Sequence, residues 1–206
     1  SNYTLRGLVM TDVEIEVCSA TTIAGAAGCG VPNPSMDHNS AAIAGGEFTC
    51  TRCHVHNTDT GVHMGNGANL IDSYMHDFDY TDGDHGAGVG MGLGTGYHSQ
   101  IIHNNIDCAR LAGQPQICSS ALSIYDEPLI DDVLVQSNLF NTVGAYCTYG
   151  GWQGGTNIRF IDNVYGRKYY PRCGAEGPTT AFVPSNPGNV FSGNVYPDGT
   201  SVGDGT

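Results

Sequence analysis

Eight histidines lie between His38 and His103, and seven of them fall within residues 54–103. Just after His76 come the carboxylates Asp77, Asp79, Asp82 and Asp84, followed at once by His85. Neutral imidazoles beside carboxylates are the donors that Zn, Cu and other borderline metals take, whereas a carboxylate-rich loop offers the oxygens that Ca prefers. The predicted ligand set for a divalent cation is His56, His76, Asp77, Asp79, Asp82, Asp84, His85 and Asp107. An EF-hand does not fit: counted from Asp77, its obligatory glycine falls on Asp82, while the glycine is Gly83. The plainer alternative is that His56 and His76 cap turns and that the acidic loop faces water.

A second group carries redox chemistry on paper. Cys50-Thr51-Arg52-Cys53-His54 spells C-x-x-C-H, the attachment motif of c-type haem, with Met64 or Met75 available as an axial partner. Against it stands a disulfide or a pair of packed thiols, because the repeats described below put Cys50 inward on a strand and Cys53 at a bend. Cleavage of an acidic polysaccharide by β-elimination needs a base, often Arg or Lys, and a group that neutralises the uronate. Arg167, Lys168 and Arg172 cluster with Tyr169 and Tyr170 in GRKYYPRC, an edge suited to stacking on sugars and reading anions. The predicted catalytic residues are His76, Asp84, His85, Arg167 and Lys168. The neighbouring pairs Asp126–Glu127 and Asp131–Asp132 make weak hydrolase candidates, since adjacent strand residues point to opposite faces. No nucleophile elbow, P-loop or dinucleotide fingerprint occurs.

Elements able to position these groups emerge from a degenerate repeat. The segments YTLRGLVMTD (3–12), FTCTRCHVHN (48–57), NLIDSYMHDF (69–78), QIIHNNIDCA (100–109), DVLVQSNLFN (132–141), IRFIDNVYGR (158–167) and VFSGNVYPDG (190–199) share one pattern. A β-branched or aromatic residue precedes a small polar one, often Asn, and an apolar pair follows. The polar position falls at Cys53, Ser73, Asn104, Asn138, Asn163 and Asn194, at spacings of 20, 31, 34, 25 and 31 residues, with Leu8 as the equivalent one or two coils earlier. A second short strand follows most repeats: GVHMGN (61–66), GVGMG (88–92), ALSIYDE (121–127) and AYCTYGG (145–151). Short strands separated by Gly and Asn bends at this period predict an all-β, right-handed parallel β-helix of about six to eight coils. Inward residues would stack about 4.8 Å apart, and Asn would occupy left-handed bends and bond along the stack. A β-sandwich would not repeat one bend residue at coil-sized intervals. The alignment also puts His56, His76, Asp107 and Asn141 at one coil position, which is why His56 and Asp107 join the ligand set. The chain is expected to be a single domain, with irregular coils over 1–47, regular coils over 48–197 and a tail at 198–206.

On YTLRGLVM, CTRCHVHN, LIDSYMHDF with DGDHGAGVGM, VLVQSNLFN leading to GAYCTYGG, and the tail YYPRCGAEGP with NVFSGNVY, the chain resembles secreted right-handed parallel β-helix repeat proteins of the pectate-lyase-like superfamily. Related proteins carry an H-x-D-G-I-Q-like segment; here the stretch reads Asp84-His85-Gly86-Ala87-Gly88-Val89, so His85 matches and Ala87 replaces the acidic residue. The resemblance implies a secreted, carbohydrate-active protein that cleaves or binds an extracellular polysaccharide, with a bound cation (Ca, Zn or Cu).

Composition agrees and excludes other classes. Seven Lys+Arg against 20 Asp+Glu, a formal charge of −13, argues against nucleic acid and anionic membranes as partners. No apolar run long enough to span a bilayer is present. Eight cysteines beside a single lysine suggest disulfides and an oxidising compartment. Connectivity is open in the sequence. Local loops Cys18–Cys29 and Cys108–Cys118, with Cys147–Cys173 between consecutive repeats, look natural, leaving Cys50 and Cys53 as a close pair. With no helical cap recognisable at either end, stacking of β-helix ends into a fibre, sheath or surface polymer is the non-catalytic alternative.

Overall fold

The computed structural model describes residues 7–16, 41–58, 60–78, 86–91, 96–109, 118–124, 130–151 and 154–205. Cys18, Cys29, Asp79, Asp82, Asp84 and His85 therefore lie outside the described residues. Every regular element among the described residues is a strand. The first coil holds β1 (Leu8–Thr11), β2 (Glu14–Glu16) and β3 (Ala41–Gly45), and the second β4 (Phe48–Thr51), β5 (His54–His56) and β6 (Thr60–Met64). The third holds β7 (Asn69–Ile71), β8 (Tyr74–His76) and β9 (Ala87–Met91), and the fourth β10 (Gly96–Ile102), β11 (Asn105–Cys108) and β12 (Ser120–Ile124). Then come β13 (Ile130–Gln136), β14 (Leu139–Thr142) and β15 (Tyr146–Gly150), followed by β16 (Thr156–Ile161), β17 (Val164–Tyr165) and β18 (Gly177–Thr180). A seventh coil opens with β19 (Val190–Ser192). Each strand pairs in parallel with the strand three places on, so three parallel sheets run the length of a β-helix. The expected architecture and coil number are both found.

Alternation explains the register. Residues at every second position face inward, and like positions on successive coils meet across the parallel ladder. In the first sheet Met10, Cys50, Leu70, Ile101, Val135, Phe160 and Phe191 form one continuous stack. In the second sheet the stack is Ile15, Val55, Met75, Ile106, Phe140 and Tyr165. The third begins with Ile43, Val62, Val89 and Leu122 and then turns polar at Thr148 and Thr179. Those two hydroxyls lie 3.0 Å apart and 3.1 and 3.2 Å from the phenol of Tyr165, so the buried oxygens satisfy one another. Burial pushes the Tyr165 phenol up to about 12.

The bend between the first and second sheets is built from two consecutive residues. Asp12, Arg52, Asp72, His103, Ser137, Asp162 and Gly193 each have a positive φ, between 51° and 67°. The residue that follows is the recurrent small polar one. The left-handed backbone thus belongs to the predecessor, and Asn104, Asn138, Asn163 and Asn194 are freed to bond along the stack. The Asn104 backbone N–H donates to Asn138 Oδ1 at 2.9 Å, Asn138 to Asn163 at 2.9 Å, and Asn163 to Asn194 at 3.0 Å. Each amide Nδ2 in turn donates to a carbonyl one coil back, as Asn138 does to Ile101 at 2.8 Å. Leu8 is not part of this series: it pairs with Phe48, which puts Val13 in the place expected for Leu8. Counting the apolar residues of 3–12 as one repeat misplaced the bend by five positions, because that segment lacks its own polar marker.

Three disulfides, Cys50–Cys53, Cys108–Cys118 and Cys147–Cys173, match the expected local loop at 108–118, the tie between consecutive repeats and the remaining close pair. The C-terminal residues fold back over the last Asn: Val195 bridges Ser201 antiparallel, and the N–H of Val202 donates to the Asn194 carbonyl at 2.9 Å. Among the described residues no helix is long and apolar enough to cross a membrane.

Candidate functional site

The outward positions of the second sheet carry the chemistry. In β5 the alternation His54-Val55-His56 buries the valine and leaves both imidazoles outside, and in β8 Tyr74-Met75-His76 does the same for a phenol and an imidazole. Parallel pairing then sets Glu14 beside His54 and Tyr74, and His56 beside His76. One strand further on, Asn105 continues the Tyr74 row, and Asp107 and Asn141 continue the His76 row. The expected shared coil position of His56, His76, Asp107 and Asn141 is therefore present, with Glu14, His54 and Tyr74 in the adjacent row.

The rings stack face to face. His76 lies 4.2 Å from Tyr74 and 4.8 Å from His54 between ring centroids, and His56 lies 5.4 Å from His76. The Nδ1 of His76 is 2.7 Å from Asp77 Oδ2, and its Nε2 is 2.6 Å from the Nε2 of His54. The Nε2 of His56 is 3.0 Å from Glu14 Oε1, and His54 Nδ1 is 3.7 Å from the same oxygen. Partial burial, together with the neighbouring His56 and His76, holds the His54 imidazole below its ordinary value, so it is neutral at pH 7. A lowered value means that the unfolded chain binds this proton more readily. The contribution of His54 to stability is present above about pH 6.5, its unfolded value, and lost as acid drives the folded ring to protonate. In a histidine ring-proton NMR titration the His54 midpoint is expected below about 6.5; a midpoint at or above that value contradicts the geometry.

A strap of chain covers the other end of this face. After β17 the segment GRKYYPRC crosses the outward side of β11 and β14, tied down by the Cys147–Cys173 disulfide and by Tyr170 Oη donating to the Val143 carbonyl. Gly166 starts the crossing, and a Cβ there would collide with the Asn141 side chain. The strap delivers Lys168 Nζ onto the carboxylate of Asp107, 61 residues earlier in the chain. Asp107 is buried, whereas the lysine side chain is 55% exposed. The hydrogen bond to Asp107 raises the lysine well above its usual range, so it stays an ammonium. Burial, then the charge of Asp107, pushes the Tyr74 phenol up as well, with Lys168 opposing.

The predicted residues divide accordingly. His56, His76, Asp77, Asp107 and Lys168 share one face, although Asp107 is engaged by Lys168 and Asp77 orients His76. Arg167 goes elsewhere: its guanidinium bonds Asp198 at 2.6 Å and lies over the Tyr196 ring at 4.3 Å, closing the C-terminal turn. Asp79, Asp82, Asp84 and His85 lie outside the described residues. Cys50 and Cys53 are bonded to each other and buried inside the coil, while His54 of the same motif faces outward. Glu14 and Tyr74 escaped notice in the sequence, yet alternation in VEIEV and SYMH carries the signal, since the residue two before each paired row member shares its face. Alongside the rings an open groove of about 500 Å³ follows the bend, lined by Arg52, Asp72, Tyr74, His103 and Asn105 among others. The Nδ1 of His103 is 2.7 Å from Asp72, and Arg52 holds Asp12 at 2.8 Å. Comparison with family models, curated proteins and solved structures finds no match to this chain. Its identity rests on architecture: a disulfide-bonded parallel β-helix with a ladder of imidazole, phenol and charged groups on one sheet.

Proposed function

We propose that this is a secreted, carbohydrate-active β-helix protein of the pectate-lyase-like kind, which holds an acidic polysaccharide against the second sheet and cleaves it by β-elimination. The observation that carries this reading is the pair of outward rows on the second sheet, Glu14, His54, Tyr74 and Asn105 beside His56, His76, Asp107 and Asn141, with Lys168 laid over Asp107 and an open groove alongside. A polymer with a regular repeat meets a surface with a regular repeat. Lys168, fixed as a half-exposed ammonium, neutralises the uronate carboxylate; its retained proton makes it an anion reader and not the base. His54, neutral and stacked in the ladder, takes the proton α to that carboxyl. As the C–H electrons form the new C=C bond, the β C–O bond breaks, and the protonated Tyr74 phenol supplies a proton to the departing oxygen. The disulfides fit an oxidising, extracellular setting.

The test is a panel of polyuronates and glycosaminoglycans, read by ultraviolet absorbance of the unsaturated uronate and by retention on immobilised polymer. Tyr74→Phe is expected to lower turnover about 10²-fold or more while leaving retention intact, within the range for loss of one acid–base group. Lys168→Ala is expected to weaken retention. No retention and no unsaturated product on any uronate polymer would overturn the proposal.

A further inference from the structure

The tautomers of the histidine cluster lead to a metal site that differs from the acidic loop. Asp77 Oδ2 accepts from Nδ1 of His76 at 2.7 Å, which fixes the tautomer whose lone pair is at Nε2. That lone pair faces Nε2 of His54 at 2.6 Å, which must donate. His54 is then left with its lone pair on Nδ1, aimed at Glu14 Oε1, 3.7 Å away. A ring lone pair and a carboxylate oxygen facing each other at that distance make a pair of donors suited to a cation. His56 completes the set, because its Nε2 lies 3.0 Å from the same Glu14 oxygen. The three ligand atoms on Glu14, His54 and His56 all lie within 4.8 Å of one another.

We propose that Glu14 Oε1, His54 Nδ1 and His56 Nε2 bind one divalent late-transition ion of the Zn or Cu class, with Asp77 and His76 as the outer relay that orients His54. A tetrahedral ion with bonds of about 2.0–2.1 Å needs ligand atoms about 3.3 Å apart. The observed 3.0 and 3.7 Å bracket that separation. Two imidazoles and one carboxylate select Zn or Cu over Ca, which takes six to eight oxygens. Three protein ligands leave a further position open, as in catalytic zinc sites. It would open beside the exposed Tyr74 ring, which stacks on His54 at 5.6 Å. The carboxylate–imidazole contact behind His54 is the outer-shell arrangement that fixes ligand orientation in such centres.

Titration of chelator-treated, disulfide-intact protein with Zn²⁺ alone, followed by calorimetry, is the experiment. One equivalent should bind, competed by Cu²⁺ and not by Ca²⁺. Glu14→Gln and His56→Gln should each weaken it at least about tenfold, and Asp77→Asn by about 10-fold to 100-fold, the usual effect of losing an outer-shell partner. Circular dichroism of each variant separates loss of the ligand from loss of fold. In the Cu²⁺-loaded protein, electron paramagnetic resonance should show nitrogen hyperfine structure that diminishes in His56→Gln. Absence of Zn²⁺ binding, or an affinity unchanged in both Glu14→Gln and His56→Gln, would overturn the assignment. No glycan enters this measurement, so its outcome is separate from that of the polysaccharide reading; a bound ion takes the Nδ1 lone pair that His54 uses as base in that reading, so elimination belongs to the ion-free protein.

Discussion

Replacing Asn138 with alanine is expected to remove about 3–5 kcal/mol of folding stability, two or three buried polar groups losing partners at about 1–3 kcal/mol each. Asn138 is 1% exposed in the middle of the internal ladder. Its Oδ1 accepts from the Asn104 backbone N–H at 2.9 Å and from the Asn104 amide at 2.9 Å, and its Nδ2 donates to the Ile101 carbonyl at 2.8 Å. Alanine leaves that N–H and that carbonyl buried without the amide that satisfied them. The ladder also relays the effect, because Asn163 Oδ1 loses a donor as well. Serine should recover part of the loss: at Ser73 the hydroxyl accepts from the Cys53 N–H at 3.0 Å, so the acceptor half of the role survives. Urea denaturation gives the numbers. A loss below about 1 kcal/mol for Asn138→Ala would mean that the ladder is decoration.

Replacing Lys168 with methionine is expected to cost about 2 kcal/mol, less than the roughly 3–5 kcal/mol for breaking a fully buried pair, since solvent already screens the ammonium. Asp107 makes the effect large for a surface lysine, because its side chain is only 7% exposed and would remain charged without its cation. Adding Asp107→Leu to Lys168→Met should restore most of the stability, an apolar pair of similar bulk having no charge left to solvate. The double variant should nonetheless fail to retain uronate polymers. Stability restored with retention still lost assigns the ammonium to ligand recognition; retention restored along with stability would reduce it to a strut for the strap.

Much of the stack was legible because its information is local. A residue whose neighbours at two positions are apolar, and which follows a bend, must face outward at a fixed height on its coil. That logic put His56, His76, Asp107 and Asn141 in one row, Cys50 inside and Cys53 at the bend. Pairing of cysteines over short loops was legible for the same reason. It failed at Leu8, where the first segment has no polar bend marker and the register slid by five residues against Phe48. It also assigned the left-handed conformation to the Asn positions, when Asp72, His103, Ser137 and Asp162 hold it.

Lys168 and Asp107, by contrast, meet only because a strap after β17 is folded back over β11 and β14 and pinned by Cys147–Cys173. The neighbouring Arg167 is turned away to Asp198, so adjacency in GRKYYPRC carried no information about shared function. Glu14, His54 and His56 likewise converge through pairing across 40 residues of chain, and their tautomers follow from contacts with His76 and Asp77. By itself the sequence determined a β-helix, the inward and outward faces of its coils, and the row in which its histidines stand, since these follow from alternation and a repeated bend. Which donor atom faces which, and which cation reaches which carboxylate, was decided by the tertiary structure alone. Those outcomes depend on the path of a connecting segment and on ring orientations, which no periodic pattern encodes.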